Sequence, residues 1–372
     1  MNKIKVGNRY VGKGYPTMVV AEVGVNHEGK TDDAKRLIEL TARMGIGSIK
    51  FQTYSAEKIV TPSAMKYWHL SPFDKPTDRQ IDTFKKLDGL PTESYKDLVE
   101  YGEELGVIVF STPFDEESVD ILYRAGVAAF KIASGDITYH RLLKKVGESG
   151  LPIILSVGAS NEAEISDAIE VIKSTKNEQI ILLHCILDYP AEEKDANLKV
   201  IEDLKRRYNL PIGFSDHTIG FTAPLFAVKL GACLIEKHCT DKKYNENIDK
   251  DPLSPDHCFL SMEEIGELAT KIENLEKGHE IDDMAEDDNK IMLGTDNPPR
   301  PLECEKAAHI GARRSIVAKV DIEKGDTISE HNIIELRPGT GLAPTFKNIS
   351  KILGKKTIRS INKNDFITLD LL

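Results

Sequence analysis

The chain has 372 residues, enough for one large domain with a smaller one attached, and 40% of them are hydrophobic and 29% charged, an ordinary globular balance. A net charge of -11 argues against nucleic acid as a partner, because phosphate backbones are bound by basic surfaces. No stretch approaches the roughly 20 uncharged apolar residues of a membrane span, and the N-terminus has no apolar core of a signal peptide, so the expectation is a cytoplasmic protein with no membrane partner. Five cysteines, at 185, 233, 239, 258 and 304, form no C-x-x-C pair, which fits reduced thiols rather than a disulfide framework or a zinc ribbon.

From residue 18 onward short apolar runs alternate with longer amphipathic segments. The runs fall at 18–23, 48–51, 107–110, 128–133, 152–156, 180–184, 211–214 and 233–236. The helical patterns fall at 31–43, 92–105, 116–125, 139–149, 162–174, 196–208, 223–230 and 262–275. Eight strand–helix units in regular order predict an α/β fold, a closed parallel (β/α)8 barrel over residues 1–279. The competing doubly wound sheet lacks its usual G-x-G-x-x-G after the first strand. Two insertions, at 53–90 and 240–260, leave the C-terminal face, where barrel active sites lie. Residues 280–312, acidic and then proline-rich, read as a linker or a solvated strap. Residues 313–372 read as a small β-rich module with pieces at 315–319, 333–336 and 367–369.

Polar side chains at the C-terminal ends of the strands are the candidates for chemistry. Glu22 sits inside the first apolar run, where a carboxylate is costly unless paired or functional. It reads as a buried ion-pair partner or as an acid/base group. Lys50 and Lys131 stand in strands 2 and 4 in the same way. One such lysine suggests a Schiff-base nucleophile; two suggest an anion cradle, and a structural Lys50–Glu22 pair is the plain alternative. Thr112, Ser134 and Ser156 are hydroxyls that suit phosphate oxygens beside them, although Ser and Thr also cap helices. His217 and His238 end neighbouring strands 7 and 8 and can share one divalent metal, with water or substrate in the open positions. Asp216 is positioned to orient a histidine.

Taken together, these segments resemble the sialic acid (nonulosonate) synthase family. The markers are Ala21-Glu22-Val23-Gly24-Val25-Asn26-His27, Lys50-Phe51-Gln52-Thr53, Ser111-Thr112-Pro113-Phe114, Lys131-Ile132-Ala133-Ser134-Gly135-Asp136, Ser215-Asp216-His217-Thr218, Glu236-Lys237-His238 and Pro255-Asp256-His257. The tail, through Ser315-Ile316-Val317-Ala318, Ile322-Glu323-Lys324-Gly325 and Leu336-Arg337-Pro338-Gly339, is similar to that family's antifreeze-like (SAF) module. The resemblance implies condensation of phosphoenolpyruvate with an open-chain N-acyl amino sugar. It implies Mn2+ or Mg2+ on His217 and His238, and Glu22 at the attacking water. Lys50, Lys131, Thr112, Ser134 and Ser156 would bind phosphoenolpyruvate, and Gln52, Asp136, Tyr189 and Asp256 the sugar. It further implies a homodimer with exchanged tails, in which Arg337 reaches the sugar in the other chain.

The chain departs from that pattern in places. After strand 6 it reads Cys185-Ile186-Leu187-Asp188-Tyr189-Pro190, and Leu187 cannot make the polar contact expected there, leaving Asp188 or a water to substitute. Strand 5 ends Ser156-Val157-Gly158-Ala159, and the loop at 243–254 is longer than usual. These changes bear on the sugar, for which N-acetylmannosamine, its 6-phosphate and a 2,4-diacetamido-trideoxyhexose are the candidates. A metal-dependent barrel aldolase or hydrolase is the alternative enzyme, and a non-catalytic sugar-binding relative the alternative outside catalysis.

Overall fold

The computed structural model describes residues 3–68, 75, 77–86, 89–241, 260–279, 291–294 and 299–372. It opens with a hairpin that the apolar-run pattern does not reveal. Strands β1 (Lys3–Val6) and β2 (Arg9–Gly12) pair antiparallel around Gly7 and Asn8. Gly7 takes φ +56, and a Cβ there would meet the side chain of Ile108 at 3.2 Å. Ile4, Val6 and Val11 are buried in the main core. The hairpin therefore closes the N-terminal floor of the barrel.

Eight parallel strands follow: β3 (Met18–Gly24), β4 (Ser48–Thr53), β5 (Ile108–Pro113), β6 (Phe130–Ile132), β7 (Ile153–Ser156), β8 (Ile180–Cys185), β9 (Ile212–Asp216) and β10 (Leu234–Thr240). Each pairs with the next, and β10 returns to pair with β3, so the sheet closes into the (β/α)8 barrel. Nearly every strand residue is buried, because one face fills the barrel and the other packs on helices. Local chemistry sets the helix boundaries. Asp115 caps Glu116–Ala125 by accepting from Ser118 N, and Gly126 ends that helix at φ +83. Asn161 with Glu164, and Ser261 with Glu264, form capping boxes at Glu162–Ser174 and Met262–Glu276. A short strand β11 (Leu260–Ser261) joins the edge of β10.

The insertion after β4 contains helices Ala56–Ile59 and Gln80–Lys86. The presumed linker is structured in part. Residues 299–312 are described, hold the helix Lys306–Gly311, and pack against the ends of β7 and β8. Buried Glu305 is what makes this segment a packed element rather than a solvated one.

The tail pairs β12 (Ser315–Ala318) with β13 (Ile333–Leu336) and adds the helix Phe346–Ile352. Its isoleucine-rich core, including Ile316, Ile328, Ile333, Ile352 and Ile367, is separate from the barrel core. It docks at the C-terminal end of the barrel. Arg337 N donates to Ile59 O at 2.8 Å, and Thr61 N donates to Arg337 O at 3.0 Å. No helix among the described residues is long and apolar enough to cross a membrane.

Candidate active site

The ends of β3 to β10 surround one cavity, with the insertion after β4 and the tail forming its rim. Its floor is an ion cluster. Lys50 pairs with Glu22 and lies 3.9 Å from Glu236, and Lys131 lies 3.3 Å from Glu236. All four side chains are nearly or fully buried. Neutral contacts complete the cluster: Lys50 Nζ donates to Thr112 Oγ1 at 3.0 Å, Gln52 Nε2 to Glu22 Oε1 at 3.1 Å, and Ser215 Oγ to Glu236 Oε1 at 2.9 Å. The structural pair Lys50–Glu22 thus exists, and it stands inside the cavity rather than away from it.

Lysine charge, unequally shared, separates the two buried carboxylates. Burial pushes Glu22 up to about 7; Lys50 opposes this and the charge of Glu236 adds to it. Burial acts on Glu236 too, but Lys131 and Lys50 together outweigh it and hold this carboxyl below its ordinary value. Lys131 is lowered by burial, and neighbouring Lys50 pushes the same way.

The remaining wall is a mixture of hydroxyls, imidazoles and rings. Ser134 Oγ accepts from Gly158 N at 2.9 Å and lies 3.0 Å from Cys185 Sγ. Among the described residues the buried Ser156 hydroxyl has no hydrogen-bond partner, and neither has Arg337 Nε. The Arg337 guanidinium lies over Phe84 at 5.7 Å and Phe114 at 5.5 Å. Tyr189 packs on His217, ring centroids 4.1 Å apart, and Trp68, Phe84, Phe114 and Leu187 supply apolar surface.

His217 and His238 have ring centroids 5.6 Å apart. Imidazole nitrogens sit about 2.1 Å from a bound ion, which places two rings sharing one ion at about this separation. His217 Nδ1 is 2.6 Å from Ile186 O, so a proton on Nδ1 leaves Nε2 as the ligand atom. Among the described residues no group of three or more His, Cys, Asp or Glu is arranged to hold an ion. The two imidazoles are of the ligand type and at the separation that one shared divalent ion would take.

Of the residues singled out from sequence, Glu22, Lys50, Gln52, Thr112, Lys131, Ser134, Ser156, Tyr189, His217, His238 and Arg337 meet in this one cavity. Three of the expected residues stand elsewhere. Asp136 does not line it: fully buried, it accepts from Arg314 Nε at 2.5 Å, where the tail docks. Asp216 orients no histidine; it binds Thr218 N at 2.9 Å and pairs with Lys237, which also donates to Thr218 O at 2.6 Å. Asp188 accepts from Tyr189 N at 3.1 Å and is not among the residues lining the cavity. Arg337, carried in by the tail, lines the cavity within this one chain. Asp256 and the loop at 243–254 lie outside the described residues. Sequence reasoning assigned no role to Glu236 or Ser215. Glu236 carries the signal that exposed Glu22, a charge inside an apolar strand.

The profile of the NeuB family matches residues 37–281, and that of the SAF domain matches residues 313–372. The chain belongs to the NeuB family. It is 40% identical to an uncharacterised protein of Methanocaldococcus jannaschii, over 100% of this chain and 98% of that one. It is 35% identical to the N,N'-diacetyllegionaminic acid synthase of Campylobacter jejuni, over 94% and 98%. Among solved structures, the spore coat polysaccharide biosynthesis protein SpsE of Bacillus subtilis superposes with a TM-score of 0.81 at 33% identity, covering 100% of this chain and 99% of that one. The N-acetylneuraminic acid (sialic acid) synthetase of Leptospira borgpetersenii gives 0.63 at 33% identity, covering 77% and 94%.

Proposed function

We propose that this chain is a carbon–carbon bond-forming transferase that joins phosphoenolpyruvate to the open-chain aldehyde of an N-acyl amino sugar. The products are a nine-carbon 2-keto acid and phosphate. The observation that carries this reading is the cavity floor: two buried lysines and two buried carboxylates of divergent acidity, beside the unpartnered hydroxyl of Ser156.

Lys50 and Lys131, with Thr112, Ser134 and Ser156, hold the carboxylate and phosphate of phosphoenolpyruvate. Gln52, Tyr189 and Arg337 hold the sugar. Carbon 3 of the enol attacks the aldehyde carbon, whose π pair moves to its oxygen, and carbon 2 is left electron-poor. Water then bonds to carbon 2 and gives one proton to Glu22, which near neutral pH is part ionised and able to take it. That proton is the equivalent of the one that makes the aldehyde oxygen a hydroxyl. The bond from carbon 2 to the phosphate oxygen breaks, phosphate leaves with the electron pair and takes up the second proton of the water, and the ketone remains. His217 and His238 would hold a divalent cation, Mn2+ or Mg2+, which would supply Lewis-acid polarisation of the aldehyde.

For the sugar, a 2,4-diacetamido-trideoxyhexose is favoured. Trp68, Phe84, Phe114 and Leu187 offer apolar surface for methyl groups. Lys50 and Lys131, the cations of the cavity floor, are taken by phosphoenolpyruvate in this reading, which leaves neither for a sugar phosphate. The relative named a diacetyllegionaminic acid synthase points the same way. We place the enzyme in the cytoplasm as a homodimer with exchanged tails, a reading that rests on the family resemblance and on the tail's separate core.

Phosphate release, with product mass, decides the matter across N-acetylmannosamine, its 6-phosphate and diacetamido sugars. Release that needs both substrates, fastest with a diacetamido sugar, is expected. No release with any sugar in the presence of Mn2+ would defeat the reading.

A further inference from the structure

Residues 299–312 cross the end of the barrel and carry one negative charge into its interior. Glu305 is 1% exposed, and its carboxylate is held by backbone amides. Oε1 accepts from Ala159 N at 2.7 Å and from Leu187 N at 2.8 Å, and Oε2 accepts from Leu302 N at 2.8 Å. A buried carboxylate is expensive, so these charge-assisted bonds are what keep it there.

Two of the three amides belong to the turns that follow β7 and β8. Ala159 sits at φ +48, a region a residue with a Cβ avoids unless its surroundings impose it. The surroundings here are the same segment. Ala159 O lies 2.9 Å from His309 Nδ1 and accepts from Arg313 Nη2 at 2.8 Å. Glu305 is the N-cap of the helix Lys306–Gly311, His309 stands within it, and Arg313 follows its end. Together they grip the two peptide groups of Ala159 from both sides.

The turn so gripped bears directly on the cavity. Gly158 N donates to Ser134 Oγ, and Ser156 faces the cavity two residues earlier. A Cβ at Gly158 would stand 2.6 Å from Cys185 Sγ, which shows how closely this turn is pressed on β8. Leu187, the other residue whose amide Glu305 holds, lines the cavity itself.

We infer that Glu305 is a positioning residue for the phosphate end of the site: through Ala159 and Leu187 it sets Ser156, Gly158 and Ser134 against Lys131. It does not line the cavity. This inference rests on the phosphoenolpyruvate reading above.

The test uses full-length Glu305→Ala and Glu305→Gln. Three quantities are measured: phosphoenolpyruvate affinity by calorimetry without sugar, steady-state constants, and amide hydrogen exchange. Phosphoenolpyruvate binding should weaken about tenfold in Glu305→Ala, where two buried amides lose their acceptor, and roughly threefold in Glu305→Gln, which keeps one oxygen. The saturating kcat and the KM for sugar should stay within about twofold, as expected when ground-state positioning alone is lost. Exchange should quicken at residues 157–160 and 185–188 in the same order. Unchanged phosphoenolpyruvate affinity, or sugar KM rising in step with it, overturns the inference. If Glu305→Ala does not fold, Glu305→Gln and His309→Ala carry the same comparison. If the wild type itself fails to bind phosphoenolpyruvate, the functional reading falls. Exchange then still decides whether Glu305 holds the two turns, and unchanged exchange there overturns the positioning role.

Discussion

Lys50 lies within reach of both Glu22 and Glu236, yet the two carboxylates respond to burial differently. Glu22 is pushed up to about 7, while Glu236, which also faces Lys131, is held down. Neighbouring groups whose environments drive their acidities apart are how one site keeps a fixed charge and a working base together. Glu22→Gln should therefore cut kcat by about 10²–10⁴, the usual worth of a general base. Phosphoenolpyruvate affinity should change only a few-fold. The wild-type rate should rise through an ionisation near pH 7, and the variant's profile should be flat there. Stability runs the other way. The folded protein holds the Glu22 proton more tightly than the unfolded chain, so this group's contribution falls as pH rises from 4.5 to about 7. Denaturation midpoints at pH 5 and pH 8 should show Glu22→Gln gaining on the wild type at the higher pH. Matching pH–rate profiles would remove Glu22 from the base role. At this scale the sequence is informative wherever a charge interrupts an apolar strand, which exposes Glu22, Lys50 and Lys131. Asp136 misleads because its partner, Arg314, is 178 residues away and only folding brings them together.

The turn after β7 is the element on which the proposed phosphate site depends most. Gly158 is the residue that lets it lie flat on β8. A Cβ there would meet Cys185 Sγ at 2.6 Å, Cys185 O at 3.0 Å and Ser134 Oγ at 3.1 Å. Gly158→Ala should push the turn away and weaken phosphoenolpyruvate binding by about tenfold, the cost of an overpacked contact that moves backbone. Adding Cys185→Ala removes the nearest of the three atoms and should restore part of the loss. The carbonyl contact remains, so recovery should be incomplete. A single variant that binds as tightly as the wild type would show that the turn has slack. Apolar runs marked the eight barrel strands to within a few residues, because a strand buried on both faces has a continuous apolar signature. The hairpin at Lys3–Gly12 escaped because its strands are only four residues each, the first alternating and the second exposed over its first half. The segment 299–312 escaped because proline and acidic residues look solvated until Glu305 is seen to be capped by amides.

Across the whole molecule, two bodies with separate cores meet through polar groups. Arg314, fully buried, joins Asp136 to the carbonyls of Lys58, Phe114 and Glu335. Arg141 of the barrel contacts Glu330 at 2.9 Å and Glu335 at 3.1 Å on the tail. Such a surface is made of directional bonds between preformed parts, so a tail from a second copy can satisfy it equally well. The tail carries Arg337 into the cavity, and the barrel carries Glu22. A chain with Arg337→Ala and a chain with Glu22→Gln each lack one half of the site. With exchanged tails, a mixed dimer pairs the intact barrel of the first with the intact tail of the second. Such a dimer, purified through two different tags, has one complete site of two. It should show about half of wild-type activity at limiting sugar, although each parent is impaired there. With each tail on its own barrel, no site in the mixed dimer is complete, and activity should stay at the level of the parents. Failure to isolate any mixed dimer would refute the exchange equally. The sugar dependence adds a second discriminator. Rescue through Arg337 should lower the KM for sugar and leave that for phosphoenolpyruvate unmoved, because the lysines that hold the latter belong to the barrel alone.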